Sequence, residues 1–134
     1  MAATFELEVA TPERLLVRQR VSEAQIPAAN GYLGVLPEHS PLLSELGIGE
    51  LSYVADGHTR YVAVEGGWVE VSGDRVRVLA TSAEKADDID VNRAKASLGR
   101  AAGRLGRPDL GIDVARALNA MKRAQARLAA AGRR

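Results

Sequence analysis

The chain has 134 residues, no cysteine, five aromatic residues, 46% apolar and 26% charged positions, and a formal charge of +1. That length holds one or two small domains around a compact core, and the mixture of apolar and charged residues excludes wholesale disorder. Without cysteine there are no disulfides, thiol nucleophiles or thiolate metal sites, which suits a reducing compartment.

The first run, Thr4-Phe5-Glu6-Leu7-Glu8-Val9, alternates apolar with mostly acidic residues, the period-2 pattern of a strand with one wet face. Its two acids stand where a leader needs a basic and then an apolar stretch, so no signal peptide is expected. Further β-rich runs cover Ile48 to Ala55, Arg60 to Val64, Trp68 to Val71 and Arg75 to Ala80. Turn signals at Asp56-Gly57, Gly66-Gly67 and Ser72-Gly73-Asp74 separate them. Short strands with closely spaced turns predict an antiparallel sandwich or barrel with a core of Val, Leu and Ile. The longest apolar runs, such as Tyr61 to Val64, are about four residues, against the roughly 20 of a membrane span.

Beyond residue 83 the periodicity changes. Ala94, Leu98, Ala101 and Leu105 follow spacings of 4, 3 and 4, one stripe of a helix, and Val114, Leu118, Met121 and Leu128 form a second stripe. Asp87 and Asp88 stand where they can cap the first helix. Gly106-Arg107-Pro108-Asp109 breaks the chain, and so short a link makes the helices antiparallel neighbours. The expected architecture is mainly β plus α: a β-sandwich over residues 1–83 and a helical hairpin over 84–134.

The near-zero net charge conceals an opposition between these units. Residues 1–83 carry 6 arginines and no lysine against 11 acids, a net of −5, with all five aromatics and four of the five prolines. Residues 84–134 carry 12 basic against 6 acidic side chains, a net of +6, with thirteen alanines and no aromatic. Within the basic unit, Ile89-Asp90-Val91-Asn92-Arg93-Ala94 returns 23 residues later as Ile112-Asp113-Val114-Ala115-Arg116-Ala117. Carried through to Leu105 and Leu128, nine of 17 aligned positions are identical. Equal packing demands on two helices account for such an echo as well as a functional duplication does. The echo spaces Arg93, Arg100, Arg104 and Arg116, Arg123, Arg127 alike, each trio along one helix face.

Signatures of catalysis are missing: there is no phosphate-cradling Gly-x-x-x-x-Gly-Lys loop and no nucleophile-elbow serine. His58 reads as a solvated turn residue, and His39, between Pro37 and Pro41, as a structural or contact residue. Asp87, Asp88 and Asp90 fit helix capping better than a cation site. The arginine trios remain, because a guanidinium fork suits phosphate or carboxylate oxygens. A solvated basic face is the alternative. Nucleic acid is disfavoured as the polyanion, since the basic unit offers no aromatic for base stacking.

The stretch Ile26-Pro27-Ala28-Ala29-Asn30-Gly31-Tyr32-Leu33-Gly34-Val35-Leu36-Pro37-Glu38-His39-Ser40-Pro41-Leu42-Leu43 resembles the signature loop of the epsilon subunits of F-type ATP synthases. Val64-Glu65-Gly66-Gly67-Trp68-Val69-Glu70-Val71 followed by Val76-Arg77-Val78-Leu79-Ala80 is similar to that family's second hallmark, and the two-part layout matches over essentially the whole chain. The resemblance implies a sandwich of about ten strands followed by a mobile helical hairpin, with no active site of its own. It implies a place in the central stalk at the cytoplasmic face of a bacterial membrane. There the sandwich binds the gamma subunit and the c-ring, with Tyr32 and His39 as contact residues. The extended hairpin reaches the alpha and beta subunits.

Some bacterial members bind ATP on the folded hairpin through an Ile/Leu-Asp-x-x-Arg-Ala motif. Ile89, Asp90, Arg93 and Ala94 match that motif, and Glu84, Arg100, Arg123 and Arg127 fall at its helper positions. The resemblance thus implies ATP as a regulatory ligand with no required cofactor, and assigns the second copy, Ile112 to Ala117, to packing. A free-standing ATP sensor and a nucleic-acid adaptor are the competing readings. Glu38 stands where many relatives carry glycine, and Tyr32 where an acid is frequent. Gly99, Gly103 and Gly106 dilute the first helix, unless Gly103 permits close helix packing.

Overall fold

The computed structural model describes residues 3–107 and 111–133. Eight strands come first: β1 (Phe5–Ala10), β2 (Leu15–Val21), β3 (Glu23–Ala28), β4 (Gly31–Val35), β5 (Leu42–Glu45), β6 (Ile48–Ala55), β7 (His58–Ser72) and β8 (Arg75–Lys85). A 3-10 turn at Ala86–Asp88 leads to α1 (Val91–Leu105) and α2 (Val114–Ala131). The strands run in the order β2-β1-β8-β7-β6-β3-β4, and β5 also pairs with β7. The named pairings are antiparallel except β1 with β8, which is parallel. One edge of β1 is occupied by its hairpin partner β2, and β8 arrives on the other edge in the same direction as β1.

Gly66-Gly67 does not reverse the chain as its turn-like composition suggests. It bends one 15-residue strand. Gly66 and Gly67 have φ of +60° and +107°, and a side chain at Gly67 would run into the Leu79 carbonyl of β8. The bend changes which residues face inward. Val62 and Val64 are buried before it and Val69 and Val71 after it, and β8 makes the same switch between Ala80 and Ala83. The neighbouring chain crosses this line at Leu46-Gly47, where the Leu46 N–H donates to the Gly67 carbonyl at 2.9 Å and the Gly66 N–H to the Gly47 carbonyl at 3.2 Å. The sheet therefore folds over itself into two layers. Because β7 and β8 each serve both layers, eight continuous strands supply the roughly ten segments implied by the resemblance.

The space between the layers is filled mostly by valine and leucine, with Leu7, Ile26 and Leu51 among the side chains fully shielded from solvent and Phe5 and Tyr53 the aromatics. Across the outer face of β6 and β7 lies α2. Ala63, alternating with the core-facing Val62 and Val64, meets Ala126, Ala130 and Ala131 of α2, with Ala86 and Ile89 completing a second small core. In turn α1 packs on α2. Alanine, not leucine, makes the closest approach: Val114 and Leu118 of the expected stripe stay exposed and Leu98, Leu105, Met121 and Leu128 half-buried, while Ala94, Ala101, Ala117 and Ala124 are buried. Small side chains let the helices and the sheet come close, which leaves the longer ones at the margins.

The helix ends also differ from expectation. Asp87 and Asp88 belong to the 3-10 turn, and the cap of α1 is Asp90, whose carboxylate accepts from the Arg93 N–H at 3.0 Å. Asp113 caps α2 in the same way, accepting from the Arg116 N–H at 3.0 Å. Gly106 closes α1 by donating to the Ala102 carbonyl, and the rest of the expected break, Pro108 and Asp109, lies outside the described residues. A side chain added at Gly99 or Gly103 would meet nothing within 4 Å, so neither glycine is there for close packing. Among the described residues no helix is long and apolar enough to cross a membrane.

Candidate functional site

The folded hairpin sets three elements around one cavity. The end of β8 contributes Glu84, the first turns of α1 contribute Asp90, Arg93, Ala94, Ser97 and Arg100, and the last turns of α2 contribute Arg127; the enclosed volume is about 280 Å³. Spacings of 3 and 4 along α1 bring its residues to one face, and the antiparallel return of α2 brings Arg127 opposite them. Six of the eight sequence candidates, Glu84, Asp90, Arg93, Ala94, Arg100 and Arg127, thus line a common space although up to 43 residues separate them.

The other two sit beside it. Ile89 is buried in the small core under α2, where it fixes the turn that leads into Asp90. Arg123 lies one turn before Arg127 on α2 and pairs with Glu65 of β7 at 3.0 Å. Arg127 donates to Glu84 at 2.7 Å, so two ion pairs tie α2 to the sheet. Their side chains are about one-third exposed, so each pair contributes no more than about 1 kcal/mol. Arg93 and Arg100 have no carboxylate partner among the described residues; Arg100 donates to the Ser97 hydroxyl at 3.0 Å. Two guanidinium groups without a carboxylate partner among the described residues face a concave space, with a third held by one carboxylate, an arrangement whose chemistry suits a multiply charged oxyanion. Sequence reasoning passed over Ser97 and Glu65. Ser97 is one turn from both Arg93 and Arg100, and that spacing is the signal that marks it.

The two contact candidates lie away from this cavity. Tyr32, on β4, is exposed, and its hydroxyl accepts from the Glu50 N–H at 3.2 Å. His39 follows the last turn before β5 and donates from Nδ1 to the Ser40 carbonyl at 2.7 Å. The preceding residue, Glu38, has a φ of +66°. Left-handed backbone favours glycine, so Glu38 holds a conformation that costs a side-chain-bearing residue energy. Elsewhere Leu43, Trp68 and Leu79 are each more than half exposed and meet across β5, β7 and β8 beside Glu70 and Arg77. Among the described residues no group of acids and histidines is arranged to hold a metal ion.

Comparison with known proteins agrees with both units. Residues 4–86 match the family model of the ATP synthase delta/epsilon chain β-sandwich domain, and residues 87–132 that of its long α-helix domain. The chain is 57% identical over 134 residues to the ATP synthase epsilon chain of Solibacter usitatus, covering all of both proteins. It is 45% identical over 132 residues to that of Nitratidesulfovibrio vulgaris, covering 98% of each. A chain in the Euglena gracilis mitochondrial ATP synthase shares the fold with a TM-score of 0.81 at 22% identity, over 96% of this chain and 81% of its own length. With both family models matched in order and close relatives aligned end to end, the chain belongs to the ATP synthase delta/epsilon family.

Proposed function

We propose that the chain is a non-catalytic epsilon subunit that couples rotation to ATP synthesis and senses ATP through its folded hairpin. The carrying observation is the cavity in which β8, α1 and α2 together present Glu84, Asp90, Arg93, Ser97, Arg100 and Arg127. Only the folded hairpin assembles it. A ligand gripping both helices and the sheet end favours that state by its differential affinity. At a hundredfold excess over Kd the shift is about 2.7 kcal/mol, and it acts in the same direction as the ion pairs of Arg123, Arg127 and Arg133 to the sheet. The triphosphate takes Arg93 and Arg100 first, because they have no carboxylate to give up among the described residues. Glu84 and Asp90 accept from the nucleoside.

When ATP falls, the hairpin leaves the sheet and carries its arginines toward acidic segments of a beta subunit, opposing rotation in the hydrolysis direction. The net +6 of residues 84–134 favours that encounter. The sandwich serves as the anchor to gamma and the c-ring on the cytoplasmic side of the membrane. Two solved assemblies containing similar folds, from Euglena gracilis and Tetrahymena thermophila, are described as including the c-ring, which supports this placement. Leu43, Trp68 and Leu79 supply an apolar docking patch on one layer, and Tyr32 and His39 further contacts.

Titration calorimetry of the whole chain tests the ATP reading. Saturable heat with ATP is expected, with at least a tenfold loss of affinity in Arg93→Ala and an unchanged β-signature in circular dichroism. No saturable heat at millimolar ATP sinks it.

A further inference from the structure

The sequence echo has a counterpart in space. A second cavity, about 660 Å³, lies between the end of α1 and the start of α2, its Arg104 and Arg123 one helical turn from Arg100 and Arg127 of the first. The alignment that pairs residue 89 with 112 converts one lining into the other. Asp90 becomes Asp113, Arg93 becomes Arg116, Ala94 becomes Ala117, Ser97 becomes Ala120, Arg100 becomes Arg123, and, exchanging the helices, Arg127 becomes Arg104. All six resulting residues line the second cavity. An antiparallel hairpin built from two similar helices has an approximate twofold axis, and that axis repeats the arginine arrangement at its other end. Packing alone accounts for the repeated alanines and caps. It gives no reason for three long cations to converge again on an open space.

The differences between the two cavities define the ligand class. Arg127 in the first is held by Glu84; its counterpart Arg104 has no carboxylate partner among the described residues, and neither has Arg116. Arg123, paired with Glu65, is the third cation. No sheet residue takes the place of Glu84 in the second cavity, and Ala120 replaces the Ser97 hydroxyl. What is duplicated is therefore the phosphate-gripping half of the first cavity, without its acceptor from the sheet. We infer that the cavity lined by Arg104, Arg116 and Arg123 is a second phosphate site, taking a polyphosphate or the phosphate tail of a nucleotide without selecting the base. This does not depend on ATP binding at the first cavity.

The test follows backbone amide NMR shifts of the full chain during titration with tripolyphosphate, ATP and GTP at constant ionic strength. Each is run on the wild type and on Arg93→Ala, which disables the first cavity. The expected result is saturable shifts at residues 111–120 that survive in Arg93→Ala. Affinities for ATP and GTP at these residues should agree within twofold, and should fall at least tenfold in Arg116→Ala. Arg104→Ala, on the other helix, should give a comparable loss and guards against a local defect at the α2 cap. A response to tripolyphosphate without nucleotides marks an inorganic polyphosphate site, and equal responses mark a nucleotide-tail site; both support the inference. It is overturned if these amides do not respond, if sulfate reproduces the response, or if neither variant weakens it. Failure of the ATP reading shows separately, as silence of residues 90–100 toward ATP in the wild type.

Discussion

Glu38 and Gly67 show how backbone conformation selects residue type. Glu38 holds a φ of +66°, where a β-carbon is crowded, so Glu38→Gly should raise stability by up to about 1 kcal/mol, read as a higher midpoint in urea. Gly67, at +107° and against the Leu79 carbonyl, is the opposite case. Gly67→Ala should cost about 2 kcal/mol or more and lower the thermal midpoint. Charge acts at the same scale. The Asp74 carboxyl is held below its ordinary 3.8 by the hydrogen bond and charge of Arg20, at 2.9 Å. Asp74 prefers the charged form in the fold, so its stabilisation is complete above the ordinary value and fades as pH falls through the lowered one. Asp74→Asn should therefore lower stability modestly at pH 7 and change little at about pH 2, flattening the loss below about pH 4, as urea titrations at both pH values would show.

At the scale of elements, β6 and the β7–β8 hairpin were legible because alternation and the turns Asp56-Gly57 and Gly73-Asp74 agree. The four strands between β1 and β6 were not. Pro27 sits inside β3, which is tolerated because β6 pairs only with Glu23 to Gln25 and leaves the proline beyond that ladder. The continuity of β7 was hidden as well, since a pair of glycines reads as a turn until β5, β6 and β8 are seen to bend along with it. In the helices the period was legible but the depth only in part: Ala94 and Ala101 of the first expected stripe are buried and its leucines half-buried, while Ala117 and Ala124, outside the second expected stripe, take the buried places on α2. The arginine spacings put each trio on one helix face, but the fold divides the trios, setting Arg93 and Arg100 with Arg127 and Arg104 with Arg116 and Arg123, and Glu84 reaches the first cavity only through the fold. Since Gly99 and Gly103 face open space, Gly99→Ala with Gly103→Ala should stabilise α1 by about 1 kcal/mol each, measured by amide exchange across α1.

On the scale of the whole molecule, the +1 net charge is the near-cancellation of an acidic sandwich and a basic hairpin. The two are joined by alanine contacts, by the ion pairs of Arg123, Arg127 and Arg133 with Glu65, Glu84 and Glu50, and by Arg133 over the Tyr61 ring. A junction of small side chains and partly exposed ion pairs is what the proposed ATP-controlled hairpin requires. Because the chain has no cysteine, Thr81→Cys on β8 and Gln125→Cys on α2, both exposed, can carry a pair of spin labels without competing thiols. The distance distribution between them, recorded with and without ATP, is the most direct measurement. ATP should narrow it to the short distance of the folded hairpin, its removal should populate longer ones, and Arg93→Ala should abolish the response. One distribution, unchanged by ATP and by Arg93→Ala, would contradict the account.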